Sequence, residues 1–119
     1  MPEPEILKRG KLFEKMFEER LSRLGVSYSS QPRLELEGVR IILDFHIPSL
    51  GFIEVTSANP FKCLGHPFFR SKIPRLNKVA ERYRIIHVSP YPDRWRRVLS
   101  ERIECYSVEE FFELVKTLA

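Results

Sequence analysis

The segment VRIILDFHIPSLGFIEVT, residues 39–56, decides the fold. Val39, Ile41, Leu43, Phe45 and Ile47 fall on one face of an extended chain, and Arg40, Ile42, Asp44 and His46 on the other. This period of two marks Val39 to Ile47 as a central strand. Pro48, Ser49 and Gly51 supply a tight connection, and Phe52 to Ser57 reads as the next strand. Each strand is largely apolar yet carries an acid, Asp44 in one and Glu54 in the other. A carboxylate withdrawn from water is costly unless it is paired or coordinates a metal. Two of them on consecutive strands can converge on one point. A hard divalent cation such as Mg²⁺ (or Mn²⁺) takes such a pair and completes its shell with waters and phosphate oxygens. Thr56 shares the face of Glu54 and has a hydroxyl that can orient a water, but no charge to stabilise a developing anion.

Outward from this pair, Ile6, Phe13, Met16, Phe17, Leu21 and Leu24 have helical spacing over Glu5–Leu24, with Pro4 suited to the first turn and Gly25 as the stop. Val26 to Tyr28 reads as the start of a short strand, Arg33 to Glu37 alternates, and Gly38 marks a turn. On the other side, Ala58 to Phe69 holds Pro60, Gly65 and Pro67 and reads as irregular. A second helix is expected over Ser71 to Tyr83, with Pro74 in its first turn. Arg84 to Ser89 is a further strand. Asp93 caps a short helix bearing Trp95, Val98 and Leu99, and Ile103 to Tyr106 is a short strand. Ser107 and Glu110 have capping-box spacing for a last helix through Leu118. The order is that of an α/β protein, and the 119 residues suit one domain.

Hydrophobic residues make up 43% and charged residues 30%, a folded rather than disordered composition. No apolar run approaches the roughly 20 residues that cross a bilayer. The N-terminus, MPEPEILKRGK, is charged at once and lacks a signal-peptide stretch, so a cytoplasmic location without membrane contact is expected. The net charge is +4, and Arg70 to Arg102 holds ten Lys or Arg residues against Glu81, Asp93 and Glu101. Such a block suits a polyanion such as DNA, or is simply a solvated charged face. Cys63 and Cys105 read as thiols rather than a disulfide in a reducing compartment. Cys63 and His66 form a fragment of a zinc motif without paired spacing, and His87 in its apolar strand reads as a core residue. Trp95 reads as core, with stacking on nucleic acid the alternative. No dinucleotide fingerprint, phosphate-cradling glycine loop or Ser-His-Asp order points to an organic cofactor or a triad hydrolase.

Asp44, nine intervening residues, then Glu54-Val55-Thr56 resembles the PD-(D/E)XK nuclease superfamily signature. Gly10, Glu14 and Gly25 have the spacing found in archaeal Holliday-junction resolvases, and with an element order that also resembles that fold's core, the resemblance covers most of the chain. The resemblance implies a restriction-endonuclease-like core with a mixed central sheet flanked by helices. It implies a Mg²⁺-dependent endonuclease hydrolysing DNA, with branched or structured DNA among the expected substrates, and a homodimer. Asp44 and Glu54 would be direct metal ligands, joined by the main-chain carbonyl of Val55; Glu14 would hold a metal-bound water or second ion, with Glu18 the runner-up. The signature lysine should stand at position 56, where this chain has threonine. Lys72 is the preferred replacement and Lys62 the second, with Arg70, Arg75 and Lys78 as phosphate contacts beside the site. Without the resemblance, Glu14 and Glu18 make an ordinary helix face beside Lys11 and Lys15, and Lys72 a solvated lysine. Thr56 also motivates a different expectation: a nuclease-like DNA-binding or assembly module that has lost its chemistry.

Overall fold

A computed structural model describes residues 5–61 and 67–118. Lys62, Cys63 and His66 lie outside the described residues. Helix α1 (Glu5–Arg23) leads into β1 (Ser29–Ser30), the hairpin β2 (Arg33–Leu36) and β3 (Val39–Ile42), then β4 (Phe45–Ile47) and β5 (Gly51–Val55). Helix α2 (Pro67–Val79), β6 (Ile85–Val88), the short α3 (Pro92–Arg96), β7 (Glu104–Tyr106) and α4 (Val108–Lys116) complete it. Five strands form a mixed sheet in the order β1-β4-β5-β6-β7, antiparallel through β5 and parallel from β5 to β7. The molecule is thus an α/β domain with a mixed sheet flanked by helices. No helix among the described residues is long and apolar enough to cross a membrane.

Both faces of the sheet are covered. On one, Phe17 and Leu21 of α1 and Phe111, Phe112 and Val115 of α4 pack on Phe45, Ile47, Ile53, Val55, Ile86 and Val88. On the other, Ile73, Leu76 and Val79 of α2, Trp95 of α3 and the β2–β3 hairpin pack around Ile85 and Cys105. All four residues of β6 are buried, as expected of a strand covered on both sides.

The expected single strand Val39–Ile47 is two strands in different sheets. The break falls at Asp44. Its N–H reaches the Ile53 carbonyl although Phe45 is the register partner of Ile53, so the ladder slips by one residue in the manner of a β-bulge. An extra residue reverses which side of the sheet the following side chains face. Leu43 therefore belongs to the core beneath α2, whereas Phe45 belongs to the core beneath α1 and α4. Ile41, Leu43, Phe45 and Ile47 are all buried because both faces are covered, and the alternation passes through the bulge unmarked.

Helix α2 begins at Pro67, inside the stretch expected to be irregular, and ends at Val79 rather than Tyr83. Proline suits a first helical position because its missing N–H would lack a partner there anyway. Pro74 lies inside the helix, not in its first turn. The final helix has both halves of the expected capping box: Ser107 Oγ accepts from the Glu110 N–H, and Glu110 accepts from the Ser107 N–H. Gly51 opens β5 at φ +143°, where a Cβ would stand 2.8 Å from the Arg84 carbonyl oxygen. Only glycine lets β5 approach β6 so closely there.

Candidate active site

The bulge aims the Asp44 carboxylate at the next strand. Asp44 Oδ2 accepts the Val55 N–H at 2.8 Å, a bond that a main-chain carbonyl would otherwise take. In a strand the N–H and C=O of one residue leave by the same edge, so the Val55 carbonyl also faces the Asp44 side. Glu54, one residue earlier, is only 4% exposed, with Oε1 buried and unpartnered among the described residues. Its Oε2 is ion-paired with the Lys72 ammonium, which α2 brings down over the sheet.

The electrostatics follow from three acids meeting one base. Burial raises Asp44 well above the usual carboxylate range; the neighbouring Glu54 charge adds to this, while Lys72 and the Val55 N–H act against it. Burial likewise lifts Glu14 to about 7, reinforced by Asp44 and opposed by Lys72. For Lys72, burial disfavours the charge, but Glu54 and Asp44 outweigh it and hold the ammonium above the ordinary lysine value. A charged lysine thus sits near Asp44 and Glu14, two carboxyl groups that take up protons easily. Glu14, Asp44, Glu54 and Lys72 are brought together as the sequence led one to expect.

The remaining expected residues divide. Glu18 accepts from Tyr28 Oη at 2.9 Å and from Ser30 Oγ at 3.4 Å, so it holds β1 against α1. Thr56 is buried, and its hydroxyl meets His87 Nε2 at 3.0 Å. His87, the register partner of Glu54, is 1% exposed, lies against Trp95, and has Nδ1 unpartnered among the described residues. Burial and the nearby Lys72 charge push the imidazole down to about 3, so it is neutral. His46 stacks on Phe52 with ring centroids 4.4 Å apart. Trp95 is core: its Nε1 donates to the Ala58 carbonyl at 3.0 Å. Cys105 is a buried free thiol, raised to about 11 by burial.

Of the expected phosphate contacts, Arg70 is exposed on α2. Arg75 donates to the Ser71 and Arg40 carbonyls, and Lys78 is paired with Glu37 and Glu81. Arg84 is likewise held by Glu104, and Arg96 by Asp93. Much of the basic block is therefore answered by carboxylates, some from outside it.

Among the described residues, no group of three or more His, Cys, Asp or Glu side chains is arranged to hold a metal. A pair is enough for Mg²⁺, which is bound through one or two carboxylates plus waters and substrate phosphate. Asp44 and Glu54 fit that requirement: two acids in contact, with the buried Glu54 Oε1 lacking a hydrogen-bond partner among the described residues. Against known protein-family models, curated proteins and solved structures, the chain gives no significant match.

Proposed function

We propose that this chain is a metal-dependent endonuclease acting on DNA phosphodiester bonds, a distant member of the PD-(D/E)XK superfamily whose basic residue has moved to α2. The observation that carries the reading is the ion pair of Lys72 with Glu54 beside Asp44. It supplies, from another element, the charge that Thr56 lacks. Asp44 and Glu54 would hold Mg²⁺, helped by the Val55 carbonyl. Bound there, the ion would act as a Lewis acid on the phosphoryl group and on the attacking water. Lys72, kept charged by its acidic neighbours, is placed to stabilise negative charge growing on the phosphate. Glu14, with its pKa raised to about 7, is suited to take a proton from water near neutral pH. Arg70 is exposed on the same helix and would be a phosphate contact in this reading.

Asp44→Ala and Glu54→Ala are expected to lower Mg²⁺-dependent cleavage by about 10³-fold or more while DNA binding persists, and Lys72→Met to lower turnover by roughly 10²–10³-fold. Assays on linear, branched and single-stranded DNA check this. Cleavage at the parental rate by the double acid variant would overturn the assignment.

A second reading is a DNA-binding or assembly module without chemistry. Lys72 favours it in one respect, because a Glu54 charge answered inside the protein needs no metal. That reading requires salt-sensitive DNA binding and no turnover on any of these substrates. Chelator-sensitive cleavage eliminates it.

A further inference from the structure

Gln31 was not among the residues singled out by sequence. Among the described residues it is one of two non-glycine residues with positive φ, at 55°, the other being Glu37 in the turn beside Gly38. A side chain larger than Asn or Asp is uncommon in this left-handed region, and residues held there cluster at functional sites. The Glu37–Gly38 pair has an ordinary explanation: with φ 51° and 85° it makes the two-residue turn between β2 and β3. Gln31 lies at the bend where the chain passes from β1 to β2, opposite the Asp44 bulge. Besides making this bend, it makes two contacts with the acidic site. The Gln31 N–H donates to the Asp44 carbonyl at 3.0 Å, and its side-chain Nε2 donates to Glu14 Oε1 at 3.1 Å.

One residue thus ties the bulge bearing Asp44 to the helix bearing Glu14. Tyr28 and Ser30 reach Glu18 on α1 from the same segment. Glu14 belongs to a different element from the two strand acids; Phe17 and Leu21 of α1 anchor that helix on the sheet, and the Glu14 carboxyl itself meets Asp44 with Lys72 nearby. The amide adds a neutral donor to the contacts that Glu14 makes with Asp44 and Lys72.

We propose that Gln31 is a positioning residue for Glu14, its strained backbone aiming a neutral donor that holds this carboxylate in the metal site. The proposal rests on the metal-site reading above. It makes Glu14 part of a site assembled across α1 and the β1 edge. A neutral donor suits the task because it orients the carboxylate without competing with a cation for its charge.

Gln31→Asn and Gln31→Gly separate positioning from backbone support. Both residues adopt positive φ more readily than glutamine. Asn is one methylene too short for Glu14, and Gly has no side chain. If Gln31 served only the turn, both variants would melt at or above the parental temperature and bind Mn²⁺ with parental affinity. Positioning predicts the same melting behaviour but Mn²⁺ binding weakened by roughly tenfold in calorimetry. Affinity equal to the parent in both variants overturns the proposal. A metal-free arm is the NMR signal of the Gln31 side-chain amide. It should lie away from the free-amide position and return to it in Glu14→Ala. A signal that ignores Glu14→Ala also overturns the proposal. Should the parent bind no Mn²⁺ while the amide responds as expected, the metal reading fails and the Gln31–Glu14 contact stands.

Discussion

Asp44 carries more of the structure than its single carboxylate suggests. Its main chain makes the bulge, its Oδ2 replaces a ladder acceptor for Val55, and its charge lies against Glu54 and Glu14. These roles can be separated. Asn at position 44 retains an oxygen for the Val55 N–H but removes one of three crowded charges. Because the folded-state pKa values of Asp44 and Glu14 are raised, the native protein holds protons that the unfolded chain has released. Stability therefore falls as pH rises from the ordinary carboxylate range through about 7, the value for Glu14. Asp44→Asn should unfold with little change at about pH 5 and gain about 1 kcal/mol at about pH 8 in urea titrations, while losing cleavage. A loss of stability at the higher pH would mean that the acids do not repel one another there. The acids themselves were legible in the sequence, because charged residues in apolar strands are costly. Gln31 was not; His87 was read as a core residue and is one, but its contact with Thr56 was not foreseen. A left-handed backbone at a glutamine leaves no compositional mark, and a buried histidine looks the same whether it fills a core or partners a threonine.

At the level of elements, the contact between β5 and β6 sets how Glu54 meets its neighbours. Gly51 is the point of closest approach, and Arg84 locks that end by donating to the Leu50 carbonyl and pairing with Glu104. Gly51→Ala would force a Cβ against the Arg84 carbonyl in a conformation that alanine disfavours. It should cost about 2 kcal/mol or more in denaturant unfolding; a neutral result would show that β5 and β6 can separate freely. The order of elements was readable because strand alternation and helix spacing agree, although Asp93 does not cap α3: Tyr91 is the N-cap and Asp93 lies in the first turn. The Ser107–Glu110 box appears as expected. The split of residues 39–47 was hidden for a physical reason. Alternation reports burial but not which core does the burying, and a bulge between two covered faces leaves the pattern intact. The start of α2 was hidden because Pro67 reads equally as a loop residue or a first helical position.

For the molecule as a whole, two buried polar regions bear on pH behaviour from opposite sides. His87 is neutral in the fold, its pKa lowered to about 3, so the unfolded chain takes up a proton that the native state refuses. Its contribution is present above the ordinary histidine pKa and is lost as pH falls from there toward 3. In His87→Phe, acid unfolding in this window should be shallower than in the parent; an unchanged slope would assign the acid sensitivity to other groups. Charge at this scale was the least legible property of the sequence. The basic block between Arg70 and Arg102 read either as a polyanion surface or as a solvated charged face, and within it Lys78, Arg84 and Arg96 are paired with carboxylates. Sequence distance conceals such pairs, as Glu37 and Glu104 lie outside the block. What sets this molecule apart is the cluster of acids with one lysine at the junction of α1, β4, β5 and α2. Anomalous diffraction from a crystal soaked in Mn²⁺ tests it most directly. A peak about 2.0–2.2 Å from carboxylate oxygens of both Asp44 and Glu54 is predicted. No peak there at saturating Mn²⁺, with Lys72 still seated on Glu54, would contradict it.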